Sequence, residues 1–144
     1  MKILLAVDGS TFTNIAAKYL VTHLESFQSL PELHLLYVQI PIPAMSESRG
    51  RIVLGDDAVD NYYKEETKAA LAPAEKLFRK HKIPFQSSYK IGQVSDEIKQ
   101  YASKNKIDMI VMGSHGHGAL ANLVLGSVAT KILATTTVPV LIVR

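Results

Sequence analysis

The sequence contains no cysteine, and this absence excludes several kinds of chemistry. Without cysteine there can be no disulfide framework, zinc–thiolate site, iron–sulfur cluster or cysteine nucleophile, which agrees with a reducing compartment. The sequence also contains no apolar run long enough to span a membrane. The N-terminal apolar run, at residues 3–7, is interrupted by Asp8, so it is neither a signal-peptide core nor an anchor. We therefore expect a cytoplasmic protein with no membrane partner.

Acidic residues are absent from Met109 to the end of the chain, although the net charge of the whole sequence is only +3. The same segment contains no aromatic residue. A nucleic-acid surface is expected to combine basic residues with stacking aromatics, so this pattern argues against a nucleic-acid partner. A segment without carboxylates instead favours a small anionic ligand.

The 144 residues, 47% hydrophobic and 20% charged, fit one globular domain, which we expect to span residues 1–144. Apolar runs of strand length alternate with segments of helical periodicity. Strands are expected at residues 2–7, 33–39, 85–91, 107–112 and 138–143, and helices at residues 14–27, 56–82, 94–105 and 126–134. This alternation predicts a doubly wound α/β fold with a five-stranded parallel sheet and helices on both faces. The strand orders 2-1-3-4-5 and 3-2-1-4-5 both fit.

Ligands of doubly wound sheets bind beyond the carboxyl ends of the strands, where the winding reverses. The loops to consider are therefore residues 8–10 and the segment from Gly113 to Ser127, which follows a strand and opens into a helix. Glycines let backbone amides approach a phosphate, and a helix N-terminus offers unpaired amides with partial positive charge. The segment is predicted to cradle a phosphate, and a side chain at Gly126 is expected to obstruct it. Turn geometry alone is the alternative reason for the glycines.

Three standard motifs fit this segment incompletely. Gly113 and Gly118 have the spacing of a Walker loop, but Ala119 and Leu120 stand in place of its Lys and Ser/Thr. The dinucleotide-like spacing Gly116-x-Gly118-x-x-Ala121 follows the fourth strand and lacks a later acidic residue for a ribose. His115 and His117 have no neighbouring carboxylate or cysteine, so no metal site is expected.

One longer pattern, G-x2-G-x9-G-[ST], is matched at every fixed position by Gly113, Gly116, Gly126 and Ser127. In this respect the chain resembles the nucleotide-binding branch of the universal stress protein family. The resemblance extends over the whole chain through the segments ILLAVDGS, LHLLYVQ, the turn at Gly92, MGSHGHGALANLVLGSVATKIL and VPVLIVR. It implies the strand order 3-2-1-4-5. One departure is Val94, where family members often have a proline.

The resemblance also implies a binding site for ATP or another adenine nucleotide, with Mg²⁺ as a candidate companion ion. Asp8 would accept hydrogen bonds from the ribose hydroxyls, and the backbone around Val38 would contact the adenine edge. The phosphates would be surrounded by Gly113, His115, Gly116, Gly126, Ser127 and Val128, and Met112 would be a further residue of the nucleotide site. The alternatives are that Asp8 is a turn or cap residue and that Val38 packs in the core. Ser10 and Thr11 are candidates either for a phosphate or magnesium contact or for capping the first helix.

The function implied is that of an ATP-binding stress-response protein, which acts through a regulatory protein partner by binding rather than by rapid catalysis. A homodimer is expected through the edge strand Val138 to Val143. A slow ATPase using His115 or His117 and a nucleotide-free interaction module are the alternatives. A receiver domain is excluded, because Lys90-Ile91-Gly92 stands where its acceptor aspartate would end the third strand. In the long loop at residues 40–55, Arg49 and Arg51 are either anion contacts or solvated.

Overall fold

The computed structural model describes residues 1–43, 46, 48, 50, 56–118 and 124–144. The strands are β1 (Lys2–Val7), β2 (Glu32–Gln39), β3 (Phe85–Ile91), β4 (Met109–Gly113) and β5 (Val140–Val143). The helices are α1 (Thr11–His23), α2 (Asp56–Lys80), α3 (Val94–Asn105) and α4 (Ser127–Thr135), with a short 3-10 turn, Leu24–Ser26, after α1. None of the described helices has the length and apolar character needed to cross a membrane.

The five strands form one parallel sheet in the order β3-β2-β1-β4-β5. The α/β class predicted from the alternating periodicity is therefore confirmed. The strand order implied by the resemblance is also confirmed, whereas periodicity had left two orders open. Lys2 pairs with Glu32 and Ile3 with Met109, so β1 lies at the centre of the sheet.

Of the helices that the structure describes, two cover each face of the sheet. Alternate residues of β1 point to opposite faces, which places Ile3 and Leu5 against α1 and α2, and Leu4 against α3 and α4. One core cluster includes Leu20 of α1 and Phe78 of α2 among its buried side chains. The other includes Ile98 of α3 and Ile132 of α4. A near-continuous apolar strand such as β1 is what a sheet covered on both faces requires.

The element boundaries differ from the sequence-based prediction by a few residues for local reasons. Helix α1 begins at Thr11 rather than at residue 14, because Ser10 is its N-cap and accepts a hydrogen bond from the Thr13 N–H at 3.3 Å. Strand β5 begins at Val140, and Pro139 lies just before it. Arg49 and Arg51 lie outside the described residues.

Candidate functional site

A cavity of about 410 Å³ opens at the carboxyl ends of β1 and β4. This is the point at which the sheet winding reverses, because the chain leaves β1 toward β2 on one side and β4 lies on the other. All nine residues that the sequence predicted for the site line this one cavity: Asp8, Val38, Met112, Gly113, His115, Gly116, Gly126, Ser127 and Val128. Residues more than a hundred positions apart in the chain thus share one concave surface.

Asp8 follows β1 directly, and its two carboxylate oxygens have different surroundings. Oδ1 accepts hydrogen bonds from the Ser10 N–H at 2.9 Å and from the Thr13 hydroxyl at 2.5 Å. Oδ2 faces Gly116, where an added Cβ would lie only 2.7 Å from it. Asp8 therefore fills the turn role that was its alternative assignment, and it also presents an oxygen to the glycine loop.

The glycine loop is closed at its base by a backbone hydrogen bond. The Gly126 N–H donates to the Ser114 carbonyl at 2.8 Å, and Ser114 is fully buried. A Cβ on Gly126 would lie 3.2 Å from the His115 Cα and 3.3 Å from the Ser114 oxygen. A side chain at Gly126 would therefore press on the backbone of the loop, which is a constraint in addition to the predicted room for a phosphate.

Helix α4 begins at the inner end of this loop. Gly126 is its N-cap and supplies no side-chain hydrogen bond to the first turn, which contains no acidic residue. Ser127, Val128 and Ala129 of that turn line the cavity. The first N–H groups of a helix have no partners within the helix and carry partial positive charge. This end of the cavity is consequently suited to an anion.

Two histidines hold the outer part of the loop. His117 Nε2 lies 2.7 Å from the Asp8 backbone carbonyl, and because a carbonyl only accepts, Nε2 carries the proton. His115 Nδ1 lies 3.0 Å from the Ser114 hydroxyl, and its ring lies 5.1 Å from that of Phe12. Within the described ranges, no group of three or more His, Cys, Asp or Glu side chains is placed to hold a metal ion.

Strand β2 contributes Val38 to another part of the cavity wall. Strand β2 continues beyond β1, whose last paired residue is Val7 opposite Tyr37. The Gln39 carbonyl accepts from the Gly92 N–H on the β3 side. Since successive residues of a strand direct their backbone groups to opposite sides, the Val38 carbonyl points to the side on which β1 has ended. The Val38 side chain is buried in the core, which agrees with its alternative assignment, and Val38 also lines the cavity.

Several lining residues were not predicted. Leu36 of β2 and Val94 and Ile98 of α3 form much of the apolar wall, together with Ala6, Ile40 and Ala129. In the sequence they have the ordinary periodicity of core residues, so no local signal separates a wall that faces a cavity from one that faces protein. His117 was considered only as a metal ligand or catalytic residue, and its contact with Asp8 was not expected.

The electrostatics of the site are simple. Among the described lining residues, Asp8 is the single carboxylate, and none is a Lys or Arg. On the opposite face of the sheet, burial raises the pKa of the Tyr37 hydroxyl, and the negative charge of Glu66 raises it further. Because the described lining of the cavity contains no Lys or Arg, an anion there would be held by backbone N–H groups and the α4 N-terminus.

Comparison with known proteins agrees with this architecture. Universal stress protein YxiE of Bacillus subtilis is 32% identical over 149 residues, which cover 99% of this chain and 98% of that protein. Universal stress protein MJ0531 of Methanocaldococcus jannaschii is 30% identical over 144 residues, covering 99% and 81%. The solved structure of hypothetical protein MJ0577, from the same archaeon, superimposes with a TM-score of 0.75 at 25% identity, covering 99% and 94%.

More distant structures share the fold and carry nucleotides. A universal stress protein from Archaeoglobus fulgidus in complex with dAMP has a TM-score of 0.68 at 18% identity and covers 100% of this chain and 98% of its own. A universal stress protein family protein from Arabidopsis thaliana with AMP bound has a TM-score of 0.66 at 19% identity, covering 99% and 91%. The model of the universal stress protein family matches residues 1–144. Sequence and fold agree, and the chain belongs to the universal stress protein family.

Proposed function

We propose that this protein binds an adenine nucleotide, with ATP as the first candidate, in the cavity between β1 and β4, and that it acts as a regulatory binding protein in the cytoplasm. The observation that carries the proposal is that all nine residues predicted from the glycine pattern and the family resemblance line this one cavity. The adenine nucleotides named for solved relatives of the same fold support the ligand class.

Each part of a nucleotide has a matching part of the cavity. The apolar wall of Leu36, Val94 and Ile98 would cover the base, and the Val38 carbonyl would accept a hydrogen bond from the exocyclic amine of adenine. Asp8 Oδ2 would accept from the ribose hydroxyls, while Oδ1 stays in its turn. The α4 N-terminus would receive the phosphates, with Mg²⁺ arriving together with a triphosphate.

Binding rather than turnover is proposed because no Lys or Arg among the described lining residues could stabilise a transferring phosphoryl group. Transfer needs a positioned nucleophile, a base and cationic stabilisation of the phosphoryl group. Asp8 Oδ1 is engaged in the turn, and His117 donates its Nε2 proton to a backbone carbonyl. Steady ATP hydrolysis well above the rate in solution would contradict this part of the proposal.

The first experiment identifies the ligand directly. Freshly purified protein is denatured, and any released small molecule is identified by mass. We expect an adenine nucleotide in a substantial fraction of the molecules, and calorimetry of the emptied protein should give saturable binding of ATP, ADP or AMP. Protein that releases no nucleotide and gives no heat with any of the three would favour a nucleotide-free interaction module.

A glycine-loop variant tests whether binding occurs in this cavity. Gly126→Val should abolish nucleotide binding, because its branched side chain would press on the backbone at His115 and Ser114 and would obstruct the approach of a phosphate to the loop amides. Gly118→Ala is the matched control, since no atom of the residues that the structure describes lies within 4 Å of a Cβ added at Gly118. Binding by Gly126→Val equal to that of the parent protein would show that the ligand sits elsewhere.

A further inference from the structure

The outer edge of β3 is a second surface at which the described residues provide no partner strand. In the described sheet β3 pairs with β2 on one side and with no strand on the other. The Gly92 N–H donates toward β2, so Ser87, Tyr89 and Ile91 direct their backbone N–H and C=O groups outward. Tyr89 and Ile91 are also 50% and 42% exposed. Natural proteins usually shield or use such an edge.

A groove of about 410 Å³ runs beside this edge, between β3 and α2, and we name it the β3–α2 groove. Its lining includes Tyr89 on one side, Leu71 on the floor, and Lys64, Lys68 and Arg79 on the helix side. Side chains of Ser87, Tyr89 and Ile91 share the face that α2 covers, because residues two apart on a strand point the same way. A strand added to β3 would therefore direct alternate side chains into the groove.

The groove has a net positive lining. Its carboxylate, Glu75, has both oxygens engaged, one by Arg79 Nη2 at 2.7 Å and the other by the Ser87 hydroxyl at 2.6 Å. Arg79 is held in addition over the Phe85 ring. Within the described parts of the chain, no ion pair involves Lys64 or Lys68. Two cations are thus available to an occupant of the groove.

The spacing of these lysines suits an extended chain. Lys64 and Lys68 are one helical turn apart, a rise of about 6 Å. Residues two apart on a strand are separated by about 6.6 Å. The contacts Ser87–Glu75 and Phe85–Phe78 show that α2 runs in the direction opposite to β3. Acidic side chains at alternate positions of an added strand would each meet one lysine.

We propose that the outer edge of β3 and the β3–α2 groove bind an extended acidic segment of a partner protein, which adds a strand to the sheet and directs alternate Asp or Glu side chains toward Lys64 and Lys68. Backbone pairing supplies the affinity and the lysines supply the selectivity, as in other cases of strand addition. The buried Thr67 hydroxyl, which has no partner among the described residues, lines the same groove and is a further donor for the segment. The surface is separate from the nucleotide cavity.

Selection from a library of random nine-residue peptides, displayed against the intact protein, tests the proposal. We expect enrichment of peptides with Asp or Glu at alternate positions. The double variant K64E/K68E should weaken binding of the enriched peptide by about tenfold or more in fluorescence anisotropy. K18E/K104E is the matched control, because it makes the same charge change at two exposed lysines of α1 and α3, and it should change binding less than about twofold.

Backbone pairing is tested with two methylated versions of the enriched peptide. N-methyl groups are placed on all odd residues in one and on all even residues in the other. A strand on the edge of β3 uses every second N–H, so one version should bind like the parent peptide and the other should not bind. The proposal is overturned if no acidic peptide is enriched, if K64E/K68E binds as well as the control, or if both methylated peptides bind alike. If the protein forms assemblies larger than a dimer and K64E/K68E abolishes them, the outer edge of β3 binds a second copy of this chain and not an acidic partner segment.

Discussion

Asp8 has a structural role through one carboxylate oxygen, and we propose a ligand-binding role for the other. Oδ1 holds the turn into α1 by accepting from Ser10 and Thr13, and Oδ2 faces the glycine loop at Gly116. Ordinary alanine substitution removes both functions at once, so it cannot separate them. Asparagine can, because its amide oxygen keeps the turn while its NH₂ group replaces Oδ2 with a donor.

Asp8→Asn should therefore remove the preference for ribose over deoxyribose without loss of fold. The parent protein is expected to bind ATP more tightly than 2′-deoxy-ATP by about 1 to 3 kcal/mol, the range for a charge-assisted hydrogen bond. The variant should bind the two equally, as measured by calorimetry.

Asp8→Ala serves as the comparison, since it should also erase the preference but lower the melting temperature through the lost turn. Equal affinity of the parent protein for ATP and 2′-deoxy-ATP would contradict a ribose role for Asp8.

Helices α3 and α4 are joined at the surface by one aspartate. Asp96, in the first turn of α3, lies 3.2 Å from Lys99 Nζ and 3.7 Å from Lys131 Nζ of α4. The hydrogen bond from Lys99 and the charge of Lys131 lower the pKa of the Asp96 carboxyl from its usual value of 3.8. Both helices contribute walls to the cavity, through Ile98 and Val128.

This pair of contacts predicts a small pH dependence of stability. A carboxyl group whose pKa is lowered in the folded state stabilises the fold above its unfolded pKa. The stabilisation by the Asp96 carboxylate should be lost as the pH falls from 3.8 through the lower pKa that Asp96 has in the folded protein. Asp96→Asn should be less stable than the parent protein at neutral pH and should approach it in acid, as measured by urea unfolding.

Salt should shrink the difference between Asp96→Asn and the parent protein, because the groups are exposed. Asp57→Asn, a change at an exposed aspartate of α2, is the control. A difference between Asp96→Asn and the parent protein that stays constant through the acid range would contradict this assignment.

At the scale of the whole sheet, β5 forms the edge opposite to β3, and among the described strands it pairs only with β4. The Val143 carbonyl accepts from Ser114 and the Pro139 carbonyl from Ile110, so residues 139, 141 and 143 face β4. Val140 and Ile142 consequently direct their backbone groups outward. We propose that two copies pair antiparallel at this edge about a two-fold axis, with Val140 of one copy opposite the partner's Ile142.

Ile142→Pro should shift the protein from dimer to monomer, because it removes an outward N–H and leaves the hydrogen bonds to β4 in place. Leu141→Pro is the contrasting variant. The N–H of Leu141 takes part in the pairing with β4, so its loss in Leu141→Pro should destabilise the fold itself. Light scattering at micromolar concentration measures the mass, and a parent protein with the mass of one chain would contradict the dimer.

Local patterns were sufficient for the order and type of the elements. The apolar run of β1 and the helical spacing of α3 depend on residues close together in the chain, and both elements appear at their predicted bounds. The glycine spacing likewise predicted which residues follow β4 and surround the cavity. Strand order could not come from periodicity, because it depends on pairs such as Ile3 and Met109 that are distant in the sequence.

Three features required the folded chain. The apolar wall of Leu36, Val94 and Ile98 could not be told from core, because the periodicity of a buried side chain is the same whether protein or ligand covers it. The contact between His117 and the Asp8 carbonyl joins residues 109 positions apart, so no local pattern contains it. The backbone N–H groups that point outward on β3 and β5 were identified from the hydrogen bonds of each strand to its neighbour. Those bonds depend on which strands lie side by side, which the sequence pattern does not determine.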